Sequence, residues 1–153
     1  MSRLQLALNV SNLEEAIAFY STLFDATPHK VKPGYANFAI ENPPLKLVLI
    51  ESSSAPGGSI NHLGVEVETP ALVTSEAARL SAAGLATDIE ETTTCCYAVQ
   101  DKVWVRGSDA ERWEVYTVLE DSETFGAASE DACCVSDSQP VSLSVRSTET
   151  TCC

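Results

Sequence analysis

Two short stretches of the chain share one pattern and decide its fold. They read QLALNV at residues 5–10 and HLGVEV at residues 62–67. In both, apolar residues alternate with other residues, which is typical of a strand with one face in a protein core. When the stretches are aligned, their apolar positions coincide, so Gln5 and His62 hold equivalent places on the opposite face. The sequence therefore predicts one structural module used twice.

The first stretch is followed by a predicted helix and two strands. Ser11 is the predicted N-cap, and Glu14 follows it at the spacing of a capping box. Apolar residues at helical spacing then predict an amphipathic helix over residues 12–24. The strands that follow are predicted at residues 35–40 and 45–51, with Pro43-Pro44 as the break between them.

The second stretch is followed by the same order of elements. Thr69-Pro70 opens a helix that runs to about Ala83, and Gly84 ends it. Strands are predicted at residues 87–91, 102–106 and 112–119. The fold class is therefore α+β, with two βαβββ modules at about residues 1–53 and 58–121 and one weak strand in each. Sheets from two such modules are expected to curl together around a cleft.

Composition changes near residue 120, where large apolar residues give way to Ser, Thr, Asp and Glu. Such a segment cannot bury enough apolar surface to offset the entropy lost on ordering. The sequence therefore predicts one folded domain over residues 1–121 and a flexible acidic tail over residues 122–153. That tail carries Cys133, Cys134, Cys152 and Cys153.

The charge of the chain argues against two classes of partner. It has 22 acidic and 9 basic residues, for a net charge of −13. Nucleic acids and anionic membrane surfaces both require clustered basic residues, so neither is an expected partner. We find no apolar run of the roughly 20 residues that a membrane helix needs, and the N-terminus lacks the pattern of a signal peptide. The expected location is the cytoplasm, where thiols remain reduced.

The six cysteines form three adjacent pairs, at positions 95–96, 133–134 and 152–153. Adjacent cysteines can bridge each other only through a strained ring, and this spacing is not that of structural zinc sites. Thiolates prefer soft metals and metalloids. The pairs therefore indicate binding of a soft ion.

A candidate metal site follows from the internal repeat. Gln5 and His62 are equivalent residues of the two first strands. Aligning the last strands, residues 46–50 with 113–117, sets Leu47 opposite Glu114. If these four side chains meet in the cleft, three can bind a metal and the fourth cannot. The trio Gln5, His62 and Glu114 approximates the facial site of two histidines and one carboxylate in non-haem iron(II) oxygenases, and it leaves one side of the ion open for substrate and dioxygen.

The double module, with metal-binding residues on the first strands and a last strand, resembles the vicinal oxygen chelate superfamily of glyoxalases, bleomycin-resistance proteins and extradiol dioxygenases. This resemblance covers residues 3–120. The segment TTCCYAVQDKVWV at residues 93–105 is more specific. It resembles the group of C–As lyases and cadmium-induced proteins within that superfamily, and the cysteine-bearing tail fits the same group.

The resemblance implies a function. Cys95 and Cys96 would bind a trivalent organoarsenical, and Gln5, His62 and Glu114 would bind the Fe(II) that activates dioxygen. Cleavage of the carbon–arsenic bond would release arsenite. The chain departs from many members of the superfamily in having Gln5 where they have histidine, and a neutral amide is usually a weaker ligand.

The cysteine pair requires a particular backbone. Successive side chains of a flat strand point to opposite faces, so Cys95 and Cys96 cannot grip one arsenic atom from a regular strand. We therefore expect residues 92–101 to form a long loop at the mouth of the cleft. Lys102 would favour ionisation of the thiols if its side chain folded back.

Three other functions remain open at this point. A thiol-based protein that sequesters cadmium, arsenite or antimonite would use all six cysteines, but it would give His62 and Glu114 no task. An isomerase or lyase of the glyoxalase kind would use zinc or nickel, and the apolar Leu47 argues against its fourth ligand. A metal-free resistance protein would bind a drug in the cleft. The chain is expected to act as a monomer or a homodimer, and the cleft could form within one chain or by strand exchange.

Overall fold

The computed structural model describes residues 2–126 of the chain. The first module contains β1 (Arg3–Val10), α1 (Leu13–Phe24), β2 (Lys30–Lys32), β3 (Tyr35–Ile40) and β4 (Leu45–Glu51). The second contains β5 (Ile60–Glu66), α2 (Pro70–Ala82), β6 (Thr87–Cys95), β7 (Ala98–Arg106) and β8 (Arg112–Asp121). The predicted α+β class and the repeated βαβββ order are confirmed. The short β2 is the strand for which the first half of the sequence carries only a weak pattern.

The strands form one mixed eight-stranded sheet in the order β2-β3-β4-β1-β5-β8-β7-β6. The two modules join where β1 pairs antiparallel with β5. Within each module the first strand lies parallel to the last, β1 beside β4 and β5 beside β8. The first strands therefore occupy the centre of the sheet, and the outer strands of the two modules curl toward each other.

Helix α1 begins one residue later than predicted. Asn12, rather than Ser11, is the N-cap, and its side-chain oxygen accepts a hydrogen bond from the backbone N–H of Glu15. The amide group of Asn12 also donates to the carboxylate of Glu15 at 3.0 Å. The pair resembles a capping box displaced by one position from the expected Ser11 and Glu14, but Glu15 accepts from the side chain of Asn12 and not from its backbone N–H.

Helix α2 has the predicted ends. Thr69 is the N-cap and Pro70 is the first helical residue, where a missing N–H costs no hydrogen bond. Just beyond the helix, Gly84 has a φ of +83°, a conformation that glycine adopts without steric cost.

The register of the sheet corrects the alignment of the last strands. Leu6 pairs with Leu47 and Ala7 with Val48, whereas Leu63 pairs with Trp113 and Gly64 with Glu114. Since Ala7 and Gly64 are equivalent in the repeat, Val48 is the repeat counterpart of Glu114. The prediction that Leu47 is equivalent to Glu114 was wrong by one position. A shift of one position moves a side chain to the other face of the sheet. Leu47 packs beneath α1 instead.

The segment at residues 92–101 is a hairpin and not the expected long loop. Strand β6 runs to Cys95, β7 starts at Ala98, and only Cys96 and Tyr97 lie between them. The φ angles of these two residues are +55° and +60°. Positive φ at both central residues is what a type I′ turn requires, and this turn suits the twist of a hairpin. The sequence concealed it because such turns usually contain Asn and Gly.

The core is divided between the two faces of the sheet. Helix α1 covers a cluster on the convex face that includes Leu8, Phe38 and Leu49, and α2 covers a second one around Val103. A third cluster, on the concave face, brings residues from both modules together: Ala7, Tyr35, Val48, Ile50, Cys95, Tyr97 and Trp104. The helices therefore support the sheet from outside and leave the concave face open for a site.

The first residues of the predicted tail pack on the hairpin. The backbone N–H of Ser122 donates to the carbonyl of Tyr97 at 3.0 Å, and the N–H of Cys96 donates to the carbonyl of Phe125 at 2.6 Å. The rings of Phe125 and Tyr97 lie 5.5 Å apart. The rest of the tail, with its four cysteines, lies outside the described residues. Within residues 2–126 neither helix has the length and apolarity needed to cross a bilayer.

The packing of α1 predicts unequal effects for two chemically identical substitutions. Leu49 is fully buried beneath α1, and Leu23 lies on its outer face with 58% of its surface exposed. Leu49→Ala should lower the free energy of unfolding by about 2–5 kcal/mol, because it leaves a cavity. Leu23→Ala should change it by no more than about 0.5 kcal/mol. Urea denaturation would measure both, and equal effects would contradict this account of the core.

Candidate metal centre and cysteine pair

The three predicted metal-binding residues meet on the concave face of the sheet, all from one chain. The side-chain nitrogen Nε2 of Gln5 lies 3.0 Å from Nε2 of His62 and 2.7 Å from Oε1 of Glu114. The third side of the triangle, from His62 Nε2 to Glu114 Oε1, measures 3.3 Å. Ligand atoms about 2.1 Å from one ion and at right angles lie about 3 Å apart. With the amide oxygen of Gln5 in the place of its nitrogen, the triangle has the size of one face of a metal coordination sphere.

The orientation of His62 suits a ligand. Its Nδ1 lies 2.7 Å from Oδ1 of Asn61, whose own amide group donates to Asn9 at 2.9 Å. Because Asn61 thus presents an oxygen, Nδ1 of His62 carries the proton and Nε2 keeps a lone pair directed into the cleft. Histidine ligands of metals are commonly held by such a hydrogen bond from the other ring nitrogen.

Glu114 is ionised although it is buried. Burial alone would raise the pKa of its carboxyl group, but the ammonium of Lys102 offsets that effect and holds the pKa well below its usual range. Lys102 donates to Oε2 at 3.0 Å and is itself only 1% exposed. It therefore binds the outer oxygen of Glu114 and leaves Oε1 to face the cleft. The ammonium of Lys102 is thus directed at Glu114, whereas its expected effect on the thiols was conditional on the side chain folding back to the cysteines.

Gln5 is held by a second group of polar residues. Its Oε1 lies 2.5 Å from the hydroxyl of Tyr116, which also lies 2.9 Å from Oε2 of Glu66. The Glu66 carboxylate in turn contacts Arg3 and Lys46. Space for the Gln5 side chain comes from Gly64, where an added Cβ would lie 3.3 Å from Cβ of Gln5 and 3.1 Å from Cγ of Glu114.

The cysteine pair lies where the β6–β7 hairpin crosses to the first module. The ammonium of Lys30 donates to the carbonyl of Tyr97 at 2.9 Å, and the hydroxyl of Tyr97 donates to the carbonyl of Pro33 at 3.2 Å. The turn brings the two sulfurs of Cys95 and Cys96 within 3.3 Å of each other. Two sulfur bonds of about 2.3 Å at roughly a right angle span about that distance. Cys95 is disulfide-bonded in the structure, and once it is reduced this spacing would allow both sulfurs to bind one atom.

One cavity of about 150 Å³ connects the two groups, because the metal trio and both cysteines line it. Three cations of this acidic chain, Arg3, Lys30 and Lys46, line it as well. The described residues contain no group of three His, Cys, Asp or Glu side chains that could hold a metal. The third donor here is the amide of Gln5, and its oxygen is the atom that could bind an ion.

Sequence reasoning missed several residues that support the trio. Tyr116 lies two positions after Glu114 on the same strand and so on the same face, which the period of the strand would have shown. Asn61 directly precedes His62, and no sequence pattern indicates that the two side chains form a hydrogen bond. The partnership of Lys102 with Glu114 arises from the antiparallel pairing of β7 with β8, which a sequence pattern does not specify.

The fold and the site together define a class: a paired βαβββ sheet whose central strands carry side chains that could bind a metal. The model of the Glyoxalase/Bleomycin resistance protein/Dioxygenase superfamily matches residues 3–115. The chain belongs to this superfamily, as the resemblance had implied.

Two curated relatives are close to this chain over most of their length. A protein of Mycobacterium tuberculosis named cadmium-induced protein CadI is 66% identical over 127 residues, which are 83% of each chain. A protein of Thermomonospora curvata named trivalent organoarsenical cleaving enzyme is 58% identical over 134 residues, which are 88% of this chain and 89% of that one.

Among solved structures, the 2,3-dioxygenase LapB of Pseudomonas sp. KL28 has a TM-score of 0.58 and 22% identity, and the match covers 84% of this chain and 44% of that one. Methylmalonyl-CoA epimerase of Mycobacterium tuberculosis has a TM-score of 0.56 and 17% identity, over 74% of this chain and 85% of that one. At these identities the similarity shows the shared fold.

The buried pair of Lys102 and Glu114 predicts a large effect of removing one charge. Lys102→Met should lower the free energy of unfolding by about 3–5 kcal/mol, because it leaves a buried carboxylate without its cation. The double variant Lys102→Met with Glu114→Gln should recover most of that loss. Lys32→Met, which breaks the exposed pair with Glu123, should cost no more than about 1 kcal/mol. Urea denaturation near neutral pH would compare the three, and no recovery in the double variant would contradict the pairing.

Proposed function

We propose that the protein is an Fe(II)-dependent, dioxygenase-type C–As lyase that cleaves the carbon–arsenic bond of trivalent organoarsenicals, such as methylarsenite and aromatic arsenicals, and yields arsenite. The observation that carries the proposal is that a metal-binding trio and a vicinal cysteine pair line the same small cavity. A soft thiol pair suits trivalent arsenic, and the trio suits a metal with open positions. A relative that is 58% identical and bears the name of an organoarsenical cleaving enzyme supports the same conclusion.

Gln5, His62 and Glu114 would hold the Fe(II). The ion would supply the activation of dioxygen. The chain contributes the surroundings: Asn61 keeps the lone pair of His62 directed into the cleft, and Lys102 fixes the orientation of the Glu114 carboxylate. Because all three side chains are buried, bulk water has little access to the reacting atoms.

Cys95 and Cys96 would bind the substrate by replacing its two hydroxyl groups with sulfur. Both sulfurs must be reduced for this step. Cys95 is disulfide-bonded in the structure, so reduction of that bond precedes two-sulfur binding. Cys95 is deeply buried and Cys96 is half-buried, so the pair orients the arsenic from one side of the cavity. The organic group is then free to point toward the metal trio.

The reaction balances without a further reductant. Methylarsenite and dioxygen contain the atoms of one formaldehyde and one arsenite. The methyl carbon gives up four electrons, dioxygen accepts four, and arsenic stays trivalent. The carbon–arsenic bond breaks, and new bonds to oxygen form on both atoms. We propose that the enzyme acts in the cytoplasm, as a monomer or homodimer, without a nucleic-acid or membrane partner.

Sequestration of cadmium or arsenite is the second candidate. It is favoured by the relative named for its induction by cadmium, which is 66% identical to this chain. Sequestration would use the cysteine pair alone. It does not explain why Gln5, His62 and Glu114 meet at one point, so we place it second.

The lyase proposal predicts strict dependence on iron and oxygen. Protein loaded anaerobically with Fe(II) should convert methylarsenite to arsenite, with an equal amount of formaldehyde, only after dioxygen is added. Glu114→Gln should lower the rate at least about 100-fold, because a carboxylate ligand is lost. Glu111→Gln, the same substitution at an exposed turn, should leave it unchanged. Chromatography with mass detection would follow the arsenic species. Tight binding of the arsenical without any conversion would favour sequestration instead.

The cysteine pair predicts one captured arsenical per chain. A chain ending after residue 126 keeps Cys95 and Cys96 as its only pair, together with the segment that packs on the hairpin. Reduced and without iron, it should bind one methylarsenite, as native mass spectrometry would show. Cys95→Ser or Cys96→Ser should weaken binding by at least about 100-fold, because the second sulfur then no longer binds intramolecularly. Equal affinity in either variant would remove the two-sulfur mechanism.

A further inference from the structure

The amide of Gln5 presents the wrong atom for metal binding. In the structure, Nε2 faces the lone pairs of His62 Nε2 and Glu114 Oε1, at 3.0 and 2.7 Å. An amide nitrogen carries two hydrogens and no available lone pair, so it cannot bind a cation. Rotation of the amide by half a turn would exchange its nitrogen and oxygen. What decides between the two orientations is the group on the other side of the amide, which is the hydroxyl of Tyr116.

The hydroxyl of Tyr116 lies between two acceptors but has one proton. Oε1 of Gln5 is 2.5 Å away and Oε2 of Glu66 is 2.9 Å away. The proton can be donated to only one of them. A hydrogen bond to a carboxylate is roughly twice as strong as one to a neutral amide oxygen. Glu66 is therefore the stronger acceptor, provided that it remains ionised.

Glu66 is held in its ionised form. Burial would raise the pKa of its carboxyl group, but Lys46, Arg3 and the Tyr116 hydroxyl offset that and lower the pKa below its usual value. Arg3 donates two hydrogen bonds to the carboxylate, at 3.1 and 3.2 Å, and the ammonium of Lys46 lies 3.3 Å from Oε2. Glu66 is thus an acceptor only. When Tyr116 donates to it, the hydroxyl oxygen offers its lone pairs to the amide of Gln5.

We propose that Tyr116, backed by Glu66, is a positioning residue that turns the oxygen of the Gln5 amide toward the metal. The inference rests on the proposed metal site. In the turned orientation, the amide nitrogen of Gln5 donates to the Tyr116 oxygen, and the Tyr116 hydroxyl donates to Glu66. Every buried polar atom in this chain of hydrogen bonds then has a partner, as burial demands. Glu66 and Tyr116 pair across β5 and β8, so the sheet register places them beside the trio.

The experiment is an anaerobic titration with Fe(II) alone, read by calorimetry, so no turnover is involved. Tyr116→Phe should weaken Fe(II) binding about 10- to 100-fold, the range typical of residues that orient a ligand. Glu66→Gln should also weaken it, because its amide can donate to Tyr116 and leave the hydroxyl proton for the Gln5 oxygen. Tyr20→Phe, on helix α1 across the sheet, should leave it unchanged. Thermal unfolding before iron is added would establish that each variant is folded.

A double-mutant comparison separates positioning from general structural damage. A histidine at position 5 binds through a ring nitrogen and has no amide to orient. In a Gln5→His background, Tyr116→Phe should therefore change Fe(II) affinity by no more than about twofold. If the Gln5→His protein does not bind Fe(II), Gln5→Glu allows the same comparison. A carboxylate presents an oxygen to the metal in either orientation, so it too needs no positioning. An equal loss in both backgrounds, or no loss in the Gln5 protein, would overturn the inference and leave the proposed function standing. Failure of the unmodified protein to bind Fe(II) would overturn both.

Discussion

The antiparallel pairing of β1 with β5 is the constraint on which the rest of the structure depends. It joins the two modules, and its register sets Gln5 beside Gly64 and Ala7 beside His62. Each functional side chain therefore lies beside a residue with little or no side chain, which leaves room for the two to reach one point. The parallel pairing of β5 with β8 then places Glu114 next to Gly64. A slip of one residue in either pairing would turn part of the trio to the helix face and separate its members.

The second requirement is that the buried polar side chains of the trio have hydrogen-bond and charge partners. Lys102 compensates Glu114, Asn61 satisfies His62, and the group of Tyr116, Glu66, Arg3 and Lys46 surrounds Gln5. An isolated buried carboxylate would be costly, so these partners are as necessary to the fold as to the chemistry. The lining of the cavity fits this account, because the cations Arg3, Lys30 and Lys46 lie there together with the carboxylates of Glu66, Glu114 and Asp121.

The cysteine hairpin shows how a strained turn serves a site. Cys96 and Tyr97 both have positive φ, a conformation that costs a side-chain-bearing residue free energy. The cost is offset by contacts that hold the tip: Lys30 and Pro33 from the first module, and Phe125 from the segment after β8. Those contacts span both modules, so the cysteine pair and the metal trio share one cavity only when the whole sheet has formed.

The sequence by itself determined the repeated βαβββ order, the positions of both helices, and the candidates Gln5, His62 and Glu114, because alternation and helical spacing are local signals. It also singled out Cys95 and Cys96, as an adjacent pair in a segment that resembles a known family. Only the tertiary structure decided that Val48, not Leu47, is the counterpart of Glu114, and that residues 92–101 form a hairpin. It also showed the contacts of Tyr116, Glu66 and Lys102 with the trio and its neighbours. Register and side-chain partnership depend on how distant strands pair, and no local pattern specifies that pairing.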